Sequence, residues 1–132
     1  MADILAIVGS TYFNIDKHGY HVASDFIGEY LIQNLPDELV SGGADGIDEL
    51  AVFWATGLEI PYQEFLPVNK RWEPDGYKSR NIQIVEACTR LIRISHHMAS
   101  TYGSGWTTDY AERQRIPVER YLYNPYNKIE KL

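Results

Sequence analysis

The sequence predicts an α/β protein, a Rossmann-like doubly wound parallel sheet of about five strands in a three-layer α/β/α arrangement. Short runs with strand character recur at residues 4–8, 38–41, 62–66, 91–95 and 118–123. The first is apolar throughout, as in a strand covered on both faces. Between these runs lie stretches with apolar residues at helical spacing. Strand and helix alternate along the chain, an order that winds into a parallel sheet with helices on both sides.

The first strand, residues 4–8, ends at Gly9-Ser10-Thr11. A polar loop to Gly19 precedes a helix at about 21–34, where Val22, Phe26 and Tyr30 recur at helical spacing beside Ala23, Ile27 and Leu31, and Pro36 stops it. The second strand runs into Gly42-Gly43, and a helix follows to Gly57, placed as a left-handed C′ residue. Pro61 precedes the third strand, and the long connection from Pro67 to Tyr77 reads as a lid or rim. Ser79 reads as the N-cap of a third helix reaching Cys88, with Ile82, Val85 and Cys88 inward. After the fourth strand, 96–105 reads as a glycine-containing turn, and Thr107-Thr108-Asp109 as the start of a fourth helix to about Arg115. Pro117 introduces the fifth strand.

At 132 residues and 45% hydrophobic content the chain is the size of one domain with one core. We place that domain at 1–123, followed by a polar, proline-broken tail at 124–132. A formal net charge of −6 argues against a protein built to hold nucleic-acid phosphates, which needs clustered Lys and Arg. Cys88 is the only cysteine, so an intrachain disulfide and a Cys-based zinc framework are excluded, and a reducing compartment fits. The N-terminal apolar run lacks a basic flank and is too short to cross a bilayer; the expectation is a cytoplasmic chain without membrane contact. The ten tyrosines fall largely in predicted loops or near the C-terminus, and suit an oligomer interface or a site wall.

Ligands in doubly wound sheets bind beyond the carboxyl ends of the strands, near the point where strand order reverses. Gly9 is followed by Ser10-Thr11-Tyr12-Phe13-Asn14, so the dinucleotide fingerprint is absent. Neither Gly43 nor Gly46 precedes lysine, so this is not a phosphate-loop NTPase. His96 and His97 have no third partner, so no metal is expected, and no cofactor is called for.

What remains is a set of separated pieces: Gly9-Ser10; Ser41-Gly42-Gly43-Ala44-Asp45-Gly46-Ile47-Asp48; Arg80-Asn81; and Gly103-Ser104-Gly105-Trp106-Thr107-Thr108-Asp109. The glycine turn between strand and helix lets a backbone approach a ligand, and the helix start offers unpaired N–H groups to an anion. The bland alternative is a tight turn with Asp45 and Asp48 as caps. Carboxylates there repel a phosphate, so we assign phosphate to the backbone N–H groups and Asp48 to ribose hydroxyls or capping. Arg80 at a helix start is unfavourable without an anion nearby, whereas Lys70 and Arg71 read as solvated. Thr107 and Thr108 suit N-caps, a second phosphate, or both. Asp109 is a first-turn acid or, in an enzyme, a carboxylate for an oxocarbenium-like ribosyl centre.

In order and spacing these pieces resemble the SLOG superfamily, related to Smf/DprA and LOG proteins, and most closely its small YspA-like branch. That branch carries a Val-x-Gly-Ser start, a Ser-Gly-Gly-Ala-x-Gly-x-Asp-x-x-Ala turn, a Trp then Arg-Asn, and a Gly-Gly-x-Gly-Thr-x-Asp turn. Here they correspond to Val8 to Ser10, Ser41 to Ala51, Trp72 with Arg80-Asn81, and Gly103 to Asp109, within about residues 4–122. The resemblance implies a single SLOG-like nucleotide-binding domain. Its partner would be a nucleotide or nucleotide-derived molecule, ADP-ribose-like among the options, held by Gly9, Ser10, Gly42, Gly43, Ala44, Asp45, Gly46, Asp48, Arg80, Asn81, Gly103, Ser104, Gly105, Thr107 and Thr108. It also implies a sensor or sequestering role in a homo-oligomer. The alternative is an N-glycoside hydrolase or phosphoribohydrolase acting on a nucleoside monophosphate, with Asp109 or Asp48 as carboxylate; a DNA-associated module is weaker. LOG phosphoribohydrolases carry Pro-Gly-Gly-x-Gly-Thr-x-x-Glu. This chain lacks the proline before Gly103 and has Tyr110 where the glutamate would stand, and it places Ser104 and Trp106 where its branch has glycines. Trp106 there either narrows the pocket or stacks on a base or ribose.

Overall fold

The computed structural model describes residues 1–99 and 102–132, together with all of the secondary structure that follows. The strands are β1 (Ile4–Gly9), β2 (Glu38–Ser41), β3 (Tyr62–Glu64), β4 (Arg90–His96), β5 (Val118–Tyr123) and β6 (Ile129–Lys131). The helices are α1 (Lys17–Gln33), α2 (Ile47–Gly57), α3 (Tyr77–Ala87) and α4 (Tyr102–Arg113), with a 3-10 turn at Thr11–Asn14. They form a six-stranded sheet in the order β3-β2-β1-β4-β5-β6. Neighbours from β3 through β5 are parallel, and β6 alone runs antiparallel, against β5. Strand order reverses between β1 and β4, so the loops leaving those two strands diverge to opposite sides. Among the described residues no helix is long and apolar enough to cross a membrane.

The unbroken apolar character of β1 follows from burial on both faces. Leu5 and Ile7 join a core with Ile27 and Leu31 of α1 and Leu50 and Ala51 of α2, while Ala6 and Val8 join Ile84 and Val85 of α3 and Ala111 of α4. Each face thus carries two helices. Gly28 of α1 has no room for a Cβ because the Trp54 ring of α2 lies 2.6 Å from where it would stand, so Trp54 packs as a core residue and holds the two helices together.

The helix boundaries depart from the sequence expectations for local reasons. α1 starts at Lys17, a turn earlier than 21, because the Asp16 side chain caps it by accepting from the Gly19 N–H at 3.0 Å. α2 does end at Gly57, but as its last helical residue; the left-handed position is Glu59, at φ 58°. The N-cap of α3 is Gly76 rather than Ser79, and its first N–H groups are met by backbone: Tyr77 donates to the Arg71 carbonyl at 2.8 Å and Lys78 to that of Trp72 at 3.1 Å. Ile84 is buried on its inner face together with the expected Val85 and Cys88, whereas Ile82 is only half-buried. The segment read as a lid or rim is therefore bonded to itself and to α3; Val68 N–H also reaches the Asp75 carbonyl at 3.2 Å and Asn69 Nδ2 that of Pro74 at 3.0 Å.

α4 begins at Tyr102, so Gly103, Ser104 and Gly105 lie in its first turn and Thr107 and Thr108 inside it. The two threonines are not N-caps. Their hydroxyls donate back to helix carbonyls, Thr107 to Gly103 at 2.7 Å and Thr108 to Gly105 at 2.8 Å, while both side chains are buried. The expected glycine turn at 96–105 is thus divided between the end of β4 and the start of α4, with positions 100 and 101 outside the described residues. The tail read as irregular contains β6, whose pairing with β5 places Ile129 opposite Tyr123.

Candidate functional site

Beyond the carboxyl ends of β1, β2, β3 and β4 the loops enclose a cleft of about 1240 Å³. Of the residues expected there, Gly9, Ser10, Gly42, Gly43, Ala44, Asp45, Asp48, Arg80, Asn81, Gly103, Ser104 and Thr107 line it. Gly46, Gly105, Thr108 and Asp109 do not.

The exceptions have structural jobs. Gly46 has φ 81°, and a Cβ there would stand 2.7 Å from the Ser10 carbonyl oxygen. It lets the loops after β1 and β2 press together. Gly105 faces the Arg93 guanidinium, 3.6 Å from where its Cβ would be. Asp109 carries an exposed carboxylate that accepts from Arg120 on β5 at 3.3 Å. The expectation that Asp109 faces the ligand as a catalytic carboxylate therefore gives way to a surface ion pair.

The glycine turn itself differs from the sequence expectation. Gly43 N–H donates to Ser41 Oγ at 3.2 Å, and Ala44 N–H donates to Asp48 Oδ2 at 3.2 Å. Those two donors, which were expected to hold a phosphate, are thus occupied by the chain's own side chains, with the Asp48 carboxyl lying against the turn. The N-cap of α2 is Gly46 and has no side-chain cap bond; Asp48, in the first turn of α2, instead reaches back four residues to the Ala44 N–H of the turn. Burial pushes the Asp48 carboxyl up to about 6, opposed by the Ala44 N–H, by Arg80 and by the Gly42 N–H, with Glu64 adding to the rise.

Arg80 rises from α3 against this turn. Its Nη1 donates to the Gly42 carbonyl and its Nε to Asn81 Oδ1 at 2.8 Å, and its guanidinium lies over the Tyr77 ring at 5.5 Å. Burial lowers its pKa, with Asp48 and Tyr77 working the other way. Arg80 and Asn81 are 9% and 5% exposed. Among the described residues Arg80 Nη2 and Asn81 Nδ2 have no protein partner, yet no buried side-chain nitrogen or oxygen is left unsatisfied. Both donors must therefore open onto the cleft that their residues line. Asn81 Nδ2 lies 4.0 Å from where a Cβ on Gly103 would stand, so Asn81 faces the start of α4. Asn81 thus stands between the Arg80 guanidinium, which it accepts from, and the positive end of α4.

The sequence reading passed over several lining residues. Tyr12 and Ile15 come from the 3-10 turn and its end, Leu66 and Val68 from the loop after β3, and Met98 from the loop after β4. Apolar residues on loops carry no pattern that separates a rim from ordinary surface. Trp72 lines the cleft, and Trp106 meets it edge-on at 5.3 Å while stacking on Tyr110 at 5.1 Å. Trp106 therefore supports the wall from behind. His96 is buried at the end of β4, its Nδ1 accepting from the Met98 N–H at 3.1 Å. That leaves Nε2–H to donate to Asp16 Oδ2 at 2.7 Å, so both ring nitrogens are engaged in bracing the loop.

This geometry has counterparts among solved structures. TM1055 superposes with a TM-score of 0.66 at 15% identity, over 88% of this chain and 72% of that one. The molybdenum cofactor carrier protein of Chlamydomonas reinhardtii gives 0.62 at 13% identity, over 88% and 74%. DNA processing protein A, DprA, of Streptococcus pneumoniae gives 0.52 at 15% identity, covering 89% of this chain but 58% of its own. The chain shares the α/β fold of these three structures. No family model and no curated protein matches its sequence, so the likeness is one of architecture. Of the motif residues, those on the loops after β1 and β2, on α3 and at the start of α4 meet at the carboxyl edge of this sheet.

Proposed function

We propose that this chain is a SLOG-type protein that binds a nucleotide or nucleotide-derived small molecule in the cleft, as a cytoplasmic sensor or sequestering module. The observation that carries the reading is the pair of outward-facing donors, Arg80 Nη2 and Asn81 Nδ2, on residues more than nine-tenths buried beside the start of α4. A phosphate or carboxylate of the ligand belongs there rather than on the glycine turn, where the Gly43 and Ala44 N–H groups serve Ser41 and Asp48 and the Asp48 carboxyl is close by. The turn instead supplies the wall against which Arg80 packs, and Asp45, exposed on the cleft edge, suits hydroxyl groups. The net charge of −6 counts against a DNA-associated role.

Thermal-shift titration with mononucleotides, dinucleotides and ADP-ribose tests this, since a ligand of the native state raises stability by RT ln(1 + [L]/Kd). Asn81→Asp is the informative variant. It keeps the oxygen that accepts from Arg80 Nε but replaces the outward donor with a charged acceptor. We expect at least tenfold weaker binding with the fold intact; binding unchanged by Asn81→Asp refutes the anion seat.

One observation favours a second reading, nucleotide N-glycoside hydrolysis: Asp48 is a cleft-lining carboxyl whose burial holds its pKa near 6, in range for a general acid. Release of free base from a nucleoside monophosphate, abolished in Asp48→Asn, decides for it.

A further inference from the structure

The cleft is larger than an anion seat requires, and its mouth is of a different character from its floor. At about 1240 Å³ it exceeds the roughly 300–1,000 Å³ usual for small-molecule pockets. Around it stand four of the most exposed large apolar side chains of the chain: Ile15 at 74%, Leu66 at 64%, Val68 at 85% and Met98 at 62%. They arrive on three separate loops, after β1, β3 and β4. Leu66 packs directly on Gly43, its Cδ2 being 2.4 Å from where a Cβ would stand, and Gly42 next to it accepts from Arg80. One apolar arm of the rim thus begins a single residue from the charged floor. Strands in a sheet are about 4.8 Å apart, so the loops after β3 and β4, three places apart in the sheet, lie roughly 14 Å from each other at their roots. Tyr12 and Tyr77 add aromatic rings to the wall between.

We propose that the ligand is a two-part molecule: an anionic group for Arg80 and Asn81, joined to a flat, largely apolar ring system that covers Leu66, Val68, Ile15 and Met98. This rests on the reading of the cleft as an anion-binding site, and extends it to the class of molecule. An apolar rim round a polar floor, where Arg80 and Asp48 lie against the same turn, suits neither a free phosphate nor a phosphorylated sugar, which would leave all four side chains in water. It also suits a dinucleotide less well than a compound with a broad ring face, since no charged rim group stands ready for a second phosphate except Lys70.

The test compares two probes on the full chain by calorimetric titration: ribose 5-phosphate, an anion without a ring, and flavin mononucleotide, a phosphate bearing a broad flat ring system. The expected result is at least tenfold tighter binding of flavin mononucleotide. In a Leu66→Ser, Met98→Gln variant, both substitutions being at exposed positions, that advantage should fall to within threefold while ribose 5-phosphate binds as before. Equal affinities in the parent chain overturn the proposal, as does an advantage the rim variant leaves intact. If the variant alters molar mass by light scattering without altering flavin mononucleotide affinity, the rim belongs to a contact between copies and the proposal fails. Failure of both probes to bind removes the anion seat itself, a result distinguishable from loss of the ring preference alone.

Discussion

Replacing Asp48 with asparagine should make the protein more stable at neutral pH. The carboxyl is buried, 7% exposed, and its environment raises its pKa from 3.8 to about 6. A native pKa above the unfolded one means that the native state binds the proton more tightly. The stability contributed by this group is then fully present below about pH 4 and lost as pH rises through about 6. The size of the effect is about 3 kcal/mol, the free-energy equivalent of that rise at 1.36 kcal/mol per pKa unit. Asparagine keeps an oxygen to accept from the Ala44 N–H but carries no charge to desolvate, so it behaves as the protonated acid at every pH. At pH 7 the variant should gain up to about 3 kcal/mol, or about 10 °C in Tm for a chain of this length. The assay is urea denaturation of parent and variant at intervals from pH 4.5 to 7.5. The parent should lose stability with rising pH and the variant should show a flatter profile, the curves meeting near the acid end. Asp3, Asp16 and Glu119 have depressed pKa values, so they weaken the fold as pH falls through the native values and act below this window. If Asp48→Asn is destabilising at pH 7 and leaves the slope as it was, then the Arg80 charge outweighs burial and the account of this turn is wrong.

Gly46→Ala places a side chain at φ 81° with its Cβ 2.7 Å from the Ser10 carbonyl. It should cost about 1–3 kcal/mol in urea denaturation from strain alone, whereas Gly57→Ala, with open space around it, should not destabilise. Asp16→Ala removes the cap on α1 and leaves the buried His96 Nε2–H without its acceptor. Losses of about 1 kcal/mol for the cap and about 1–3 kcal/mol for the orphaned donor are expected by the same measurement. The Asp16 pKa is lowered, chiefly by the Gly19 N–H, so its contribution is present above the unfolded pKa and should vanish as pH falls through the native value.

The fold was legible where burial dictates residue type. β1 must be apolar at every position because two helices cover each side of it, and Leu5 through Val8 say so without reference to anything distant. Helix starts were legible only when a side chain marks them. The capping groups of α3 are carbonyls of Arg71 and Trp72, which leave no trace in residue type, so Ser79 was taken for the cap. At α4 the glycines that suggested a turn are helical, and the threonines that suggested a cap bond backwards to carbonyls. The glycine turn after β2 was located correctly and its donors were misassigned. Whether a loop N–H is free depends on where Ser41 and Asp48 point, which spacing permits but does not determine. Conversely, Arg80 and Asn81 were flagged by the oddity of a cation at a helix start, and both line the cleft.

β6 is three residues long, yet it decides what the molecule shows to its neighbours. Without it β5 would be the outer strand on that side, with a six-residue edge containing Tyr121, Leu122 and Tyr123. Exposed edges of that length and character recruit strands from other chains. With β6 in place both margins of the sheet are three-residue strands, β3 carrying Glu64 and β6 carrying Glu130 and Lys131. The polar tail is thereby a guard against aggregation, and expression of the chain cut back to Tyr123 would trade solubility for nine residues saved.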